Sequence, residues 1–368
     1  MDTPDRIEEV TAPWLDAALR GSGAITSARV TDIDLTYLGE GVGLLGELAS
    51  CRLHYSEPEP GAPSRLIVKL PSAHQANRER GYAFGFYERE ARFYQEIGNP
   101  GRTGGLRVPR CWAALTDPDA RRFALVLEDM SESFRMSDQV AGISADEATV
   151  AVSQLARFHA YWWDTPELAA LDWMPPSNGP TTMQAAPLYR HLWPTFAEKF
   201  GHLLPPGGAE IGGAVGERFE WLLDEIGAED HRTIAHADYR HDNLFFAPPG
   251  SDTTPVAVID WQLSTRGRGV YDVAYLLTQS MNPDDRSRSE AAILRTWHQA
   301  ITAAGVTGYS LDDAERDYQI SALVGLVIPV ATGGDMDLGN ERGVALVEHL
   351  TARAFHAVVD LDALSVMS

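Results

Sequence analysis

The residues of this 368-residue chain with the most chemical potential concentrate in one stretch, from His236 to Asn243, which reads His-Ala-Asp-Tyr-Arg-His-Asp-Asn. A β-branched run follows and ends at Asp260. Phosphoryl transfer needs a carboxylate that receives the proton of the acceptor hydroxyl, and oxygen ligands that hold Mg²⁺ on the phosphates. Asp238 fits the first role. Asn243 and Asp260 fit the second, because amide and carboxylate oxygens at strand ends suit a hard cation.

The same stretch permits a second kind of metal chemistry. A hydrolase cluster on zinc or manganese could be formed by His236, Asp238, His241, Asp242 and Asp260. Such a site would use further histidines at strand ends, whereas other histidines of the chain fall in predicted helices. His236 is therefore interpreted as a buried, hydrogen-bonded residue that braces the loop.

Two features further upstream could serve a nucleotide. Gly41, Gly43 and Gly46 form a G-x-G-x-x-G pattern. The residues after it alternate as a strand, which favours a glycine-rich hairpin over phosphates and not a dinucleotide-binding helix. Lys69 lies among apolar residues of a predicted strand, where an unpaired ammonium is costly, and Glu90 on the next predicted helix could pair with it. Both features also have structural interpretations, as a flexible hairpin tip and as solvated charges.

The elements that must position these residues come in a simple order. Connections too short for crossover helices predict an antiparallel meander in the first part of the chain. Its predicted strands are 30–38, 48–55, 65–70, 108–109 and 123–127, with one helix over 82–97. A capping box at Ser144–Glu147 begins a mostly helical part. Strands first and helices second predict an α+β fold of two lobes, residues 1–128 and 129–368.

Taken in order, these motifs resemble the catalytic and metal-binding segments of the aminoglycoside phosphotransferase and choline kinase superfamily. The resemblance is greatest to its ecdysteroid-kinase-like branch and the bacterial relatives of that branch. It covers roughly residues 30–280, and it includes the segments 90–94, 125–129 and 271–275. The resemblance implies a bilobal protein-kinase-like fold with ATP and Mg²⁺ between the lobes.

The same resemblance assigns further residues. Glu128 to Met130 would offer backbone hydrogen bonds to adenine, Lys69 would hold the α- and β-phosphates, and Asp272 would tether the catalytic loop. The chain departs from the family at Ala237, where glycine is usual, and a modest effect is expected from the extra methyl group.

Composition limits the partners. The formal charge is −22, from 30 Lys and Arg against 52 Asp and Glu. Such a surface repels nucleic acid and anionic membranes, so neither is expected as a partner. Residues 1–10 lack the apolar run of a secretory signal, and the longest apolar stretch, 320–331, is too short to span a bilayer. Only Cys51 and Cys111 occur, far apart, which predicts a reducing cytoplasm. The oligomeric state is left open.

Together these features predict an ATP- and Mg²⁺-dependent phosphotransferase that acts on a hydroxyl group of a small molecule. The alternatives are a nucleotide-binding pseudokinase that serves as an interaction module, and the metal hydrolase. For the acceptor, carboxylates are spread along predicted solvent-facing helix positions, whereas aromatics cluster between Trp162 and Phe200. This slightly favours apolar alcohols or hydroxyacyl compounds over aminoglycoside-like amino-sugars. The same aromatics are also typical of an ordinary helical core.

Overall fold

The structure is a computed structural model, and it describes residues 3–38, 45–99, 101–335 and 341–367. Within that part of the chain, no helix is both long and apolar enough to cross a membrane. Strands dominate the first third of the chain and helices the rest, as the motif order predicts.

The N-terminal lobe is built on a five-stranded antiparallel sheet with the order β1-β2-β3-β5-β4. Its strands are β1 (Val30–Tyr37), β2 (Gly46–Tyr55), β3 (Arg65–Pro71), β4 (Cys111–Asp117) and β5 (Arg122–Glu128). The predicted meander is confirmed for β1 to β3. The predicted strand at 108–109 is wrong, because β4 begins only at Cys111, after Pro109, which has no N–H to donate to a ladder.

Alternation along the strands decides where Lys69 points. Helix α1 (Ala12–Gly21) covers one face of the sheet, and Val68 and Leu70 pack in the same apolar cluster as its Leu15. Successive side chains of a strand point to opposite faces. Lys69, between Val68 and Leu70, therefore points away from α1 and toward the rest of the molecule.

The predicted helix over 82–97 is two helices. They are α2 (Gln75–Ala83) and α3 (Phe86–Glu96), and Gly85 between them has φ of +67°. Glycine adopts this left-handed backbone without the strain that a Cβ atom would add, so the chain turns there and α3 starts afresh. The turn places Glu90 in the middle of α3.

The C-terminal lobe is mainly helical, and its predicted capping box is confirmed, since Ser144 Oγ accepts from the amide of Glu147 at 3.2 Å. Its helices are α4 (Ala145–Trp162), α5 (Pro166–Ala169), α6 (Ala185–Phe200), α7 (Gly208–Ile226), α8 (Val270–Ser280), α9 (Pro283–Ala303), α10 (Leu311–Gly325), α11 (Val327–Asp335) and α12 (Glu341–Asp360). Five short strands stand among them: β6 (Arg135–Met136), β7 (Thr233–Ala235), β8 (Leu244–Phe246), β9 (Val256–Val258) and β10 (Thr265–Gly267). They form two small sheets, β6-β8-β9 and β7-β10, which bracket the His236–Asp260 segment.

One apolar cluster continues from α3 into the C-terminal lobe. The ring of Phe93 stacks on that of Trp261, with centroids 4.0 Å apart and planes 7° from parallel. Arg89 Nη1 also donates to the carbonyl of Gln262 at 3.2 Å. These two contacts dock the helix that carries Glu90 onto the turn after Asp260. The predicted bilobal α+β fold is confirmed, and the boundary between residues 128 and 129 stays a prediction.

Candidate active site

The catalytic loop, residues 236–243, directly follows β7. It is anchored by Asp272, which lies in the first turn of α8. The Asp272 carboxylate is fully buried, and it accepts from the amides of His236 at 2.7 Å and Ala237 at 2.8 Å. The Nε2 atom of His159 lies 3.2 Å from the same carboxylate. The tethering role predicted for Asp272 is confirmed.

Ala237 has a backbone conformation that favours glycine. Its φ is +63°, in the left-handed region, where a Cβ atom costs about 1–2 kcal/mol. This conformation directs the amide of Ala237 at the carboxylate of Asp272. The resulting hydrogen bond accounts for the strained backbone.

Ala237→Gly is expected to relieve that strain, with the gain partly offset by the greater freedom of glycine in the unfolded chain. Ala247→Gly is the matched control, because Ala247 is also half-buried beside a strand end and is absent from the residues with positive φ. The free energy of unfolding, measured in urea, should be about 1 kcal/mol higher for Ala237→Gly than for Ala247→Gly. Equal destabilisation by both changes would show that Ala237 is unstrained.

Asp238 and Asn243 meet inside the loop. The amide nitrogen of Asn243 donates to the carbonyl and to Oδ2 of Asp238, both at 2.9 Å. Because its nitrogen is used in this way, Asn243 keeps its Oδ1 as the atom available to a metal. Asp238 is nearly buried, with 8% of its surface exposed. The structure thus brings together the residue predicted to take the acceptor proton and a predicted metal ligand.

The histidines of the loop serve as braces. His236 is buried, its Nε2 donates to the carbonyl of Ile259 at 2.9 Å, and its Nδ1 accepts from the amide of Asp238 at 3.2 Å. His241 lies with Nδ1 3.2 Å from the carbonyl of Asp138. The described residues contain no group of three or more histidine, cysteine or acidic side chains placed to hold a metal ion. The bracing role predicted for His236 is confirmed, and the described part of the chain gives the hydrolase alternative no support.

Lys69 forms the centre of a buried charged cluster. Its Nζ lies 2.7 Å from Glu90 Oε2 and 3.0 Å from Asp260 Oδ1. Burial opposes the charged ammonium, but Asp260 and Glu90 outweigh it and raise the pKa of Lys69. Burial likewise acts to raise the pKa of Asp260, but Lys69 outweighs it and holds that pKa below its usual range. For Glu90, burial dominates and raises the pKa to about 7.

Asp260 itself has a left-handed backbone, with φ of +64° and ψ of +66°. Such conformations cost on the order of 1–3 kcal/mol and persist where the surroundings impose them. Here the turn over Trp261–Leu263 follows at once and carries the stack on Phe93. The strained backbone therefore occurs at the residue whose carboxylate contacts Lys69.

The glycine pattern is described only in part. Gly41 and Gly43 lie outside the described residues, so their phosphate-binding role stays a prediction. A Cβ atom at Gly46 would lie 3.1 Å from the carbonyl oxygen of Leu70 and 3.2 Å from Cε of Lys69. A side chain at position 46 would crowd Lys69, which explains why glycine is favoured there.

The segment predicted to contact adenine follows β5. The carboxylate of Glu128 accepts from Nη2 of Arg107 at 2.6 Å and from the amide of Arg110 at 2.9 Å. Met130 is buried in a small apolar cluster that includes Phe245. Both side chains are thus engaged within the protein, and the predicted contact to adenine would fall to the backbone.

Sequence reasoning missed several residues of the site. Arg240 lies inside the motif, and its Nη1 donates to Asp242 Oδ2 at 2.7 Å. Gln139 is fully buried, its Oε1 accepts from the amide of His241 at 2.9 Å, and its Nε2 donates to the carbonyl of Gln279 at 2.8 Å. Arg240 could have been found from its place beside Asp238. Gln139 carries no signal, because it is 102 residues from the loop that it braces.

A five-stranded sheet over a helical lobe, with the Lys69–Glu90 pair facing Asp260, defines a kinase-like fold. The chain belongs to the phosphotransferase enzyme family, whose sequence model matches residues 58–309. The predicted superfamily is thereby confirmed.

Individual proteins agree with this assignment at the level of fold. A Ralstonia eutropha protein provisionally classed as an aminoglycoside phosphotransferase shares 18% identity, with a TM-score of 0.54 and coverage of 96% of this chain and 99% of that one. The Plasmodium vivax ethanolamine kinase shares 12%, with a TM-score of 0.51 and coverage of 92% and 87%.

A further relative is similar in sequence over a short segment. The acyl-CoA dehydrogenase family member 11 of Gallus gallus is 36% identical over 63 residues, which are 17% of this chain and 8% of that protein. The matched segment is therefore less than a tenth of the length of that relative.

Proposed function

We propose that this protein transfers the γ-phosphoryl group of ATP, bound with Mg²⁺, to a hydroxyl group of a small molecule. The observation that carries the proposal is the meeting of Lys69, Glu90 and Asp260 within 3.0 Å. These residues come from a strand, a helix and a loop that are far apart in sequence. Burying such a cluster of charges costs free energy, and such clusters are typical of functional sites. Binding of phosphate and metal would give these charges a function.

The residues present fit a magnesium ion. Asn243 Oδ1 and the carboxylate of Asp260 are hard oxygen donors, which Mg²⁺ prefers. Bound Mg²⁺ would neutralise charge on the phosphate oxygens. Lys69 would turn to the α- and β-phosphates while Glu90 keeps it oriented, and the glycine pattern with Glu128 to Met130 would hold the rest of the nucleotide.

Asp238 would orient the acceptor hydroxyl and take its proton. The oxygen forms a bond to the γ-phosphorus, the bond from that phosphorus to the bridging oxygen breaks, and the electron pair leaves on ADP. Asn243 and His236 fix the position of Asp238, so its carboxylate needs little rearrangement when the acceptor arrives.

Two findings bear on the acceptor. The aromatic residues between Trp162 and Phe200 are largely core, since Trp162, Tyr189 and Phe196 are at most 1% exposed. They give no support to an aromatic pocket.

The carboxylates near the catalytic loop argue against an amino-sugar as the acceptor. Asp242 is bonded to Arg240 and to the amide of Gln139, and Asp138 is paired with Arg342 at 2.9 Å. Carboxylates that already have partners are poor sites for the ammonium groups of an amino-sugar. Apolar alcohols or hydroxyacyl compounds therefore remain favoured.

A panel assay of ADP release tests both the activity and the acceptor class. We expect turnover with apolar alcohols or hydroxyacyl compounds, changed little by added salt, because few charged contacts would be screened. Robust turnover of several aminoglycosides, suppressed by salt, with no activity on the other compounds would overturn this preference. Nucleotide binding without ADP release on any compound would favour the pseudokinase alternative.

A further inference from the structure

The guanidinium of Arg240 lies beside the base of the reaction and has no role in the function proposed above. Its Nε lies 3.3 Å from Asp238 Oδ1, whereas its Nη1 donates to Asp242 Oδ2 at 2.7 Å. Asp242 is itself fixed by the amide of Gln139, at 2.6 Å. The guanidinium is thus anchored firmly at Asp242 and rests more loosely on Asp238.

The contact on Asp238 conflicts with the task of that residue. A carboxylate that must receive a proton needs an accessible oxygen. Asn243 donates to Oδ2, and Arg240 Nε lies 3.3 Å from Oδ1 and 3.4 Å from Oδ2. Of the two contacts, that of Asn243 at 2.9 Å is the shorter. Arg240 is therefore the group that can withdraw, provided that another anion attracts it.

The transferred phosphoryl group is such an anion. Its charge needs positive groups at the point where the acceptor oxygen arrives. Lys69 is held between Glu90 and Asp260 and is assigned to the α- and β-phosphates. Among the described arginines and lysines, Arg240 is the one that contacts the carboxylate of Asp238.

We propose that Arg240 is a second phosphate-binding residue, which exchanges its contact with Asp238 for γ-phosphoryl oxygens when ATP binds. Its withdrawal frees Asp238 Oδ1 for the acceptor hydroxyl. During transfer the hydroxyl proton passes to Asp238, the new oxygen–phosphorus bond forms, and ADP leaves with the electron pair of the broken bond. Arg240 stays protonated throughout. The inference rests on the proposed function.

The test compares affinity for a non-hydrolysable ATP analogue with affinity for ADP, both with Mg²⁺, by calorimetry. Arg240→Gln should weaken binding of the ATP analogue by about tenfold or more, since a charged hydrogen bond to the γ-phosphate is lost. Binding of ADP, which lacks that group, should change by less than about twofold. Arg240→Lys keeps the charge but lacks the paired N–H donors of the guanidinium. Its affinity for the ATP analogue should lie between those of Arg240→Gln and wild type.

Arg20→Gln is the matched control. The Arg20 side chain is 25% exposed and its Nε lies 3.2 Å from Asp16 Oδ2, against 29% and 3.3 Å for Arg240 and Asp238. It lies on α1, on the face of the sheet away from Lys69, so both affinities should match wild type.

Equal weakening of both nucleotides by Arg240→Gln, or no change in either, would overturn the proposal. If circular dichroism shows that Arg240→Gln is unfolded, Arg240→Lys decides by the same comparison. A wild-type protein that binds neither nucleotide would instead refute the proposed function.

Discussion

Asp238→Asn is expected to lower turnover by about 100-fold or more, because an amide cannot accept the proton of the acceptor hydroxyl. The substitution keeps the shape of the side chain, and its neighbour Asn243 can still bond to the main-chain carbonyl of residue 238. Affinity for ATP should therefore change little. Steady-state assays of ADP release with an acceptor from the panel, and calorimetry with ATP, measure the two quantities separately.

The control for this change is Asp230→Asn, which removes the same charge from an exposed residue paired with Arg268. It should leave turnover at the wild-type level. If Asp238→Asn abolishes ATP binding while activity survives, Asp238 belongs to the nucleotide site and its assignment is wrong.

Asp260→Ala is expected to abolish the tightening of ATP binding by Mg²⁺, since the substitution removes one of the two side chains assigned to the metal. Titrating ATP in the presence of Mg²⁺ and in the presence of a chelator gives the ratio of the two affinities. That ratio should be well above one for the wild type and close to one for the variant. Turnover should fall with it, because the phosphate charge is no longer neutralised.

Asp362→Ala makes a close control, because Asp362 is also an aspartate with positive φ, at +46°. It separates the loss of a metal ligand from the loss of an aspartate in a strained backbone. Metal analysis of the purified wild type should find no tightly held zinc. Stoichiometric zinc that depends on His236 and His241 would establish the hydrolase and refute the kinase assignment.

Local chemistry let the sequence predict a good part of this molecule. The capping box at Ser144 is a contact between near neighbours, so its residue types suffice to identify it. The turn at Gly85 was missed for the opposite reason. The sequence does not show whether a glycine adopts a positive φ, as Gly85 does. The periodic pattern over 82–97 therefore suggested one helix.

The site shows the same division. The Lys69–Glu90 pair was predicted because a buried ammonium requires a partner, and the next helix offered one. The bonds of Gln139 to the catalytic loop, and of Arg107 to Glu128, depend on how distant segments pack. No spacing rule encodes such pairs. The roles of Gly41 and Gly43, like the cytoplasmic location and the absence of nucleic-acid and membrane partners, stay predictions.

The stacking of Phe93 on Trp261 has a consequence for how the activity is controlled. In kinases whose glutamate helix must swing inward, an activating modification can set the rate. Here that helix is docked on the C-terminal lobe through this stack, and Glu90 lies 2.7 Å from Lys69 Nζ. We therefore expect the rate of acceptor phosphorylation to depend on the abundance of the protein and on the supply of its acceptor. No activating modification of the protein should be needed once it has folded.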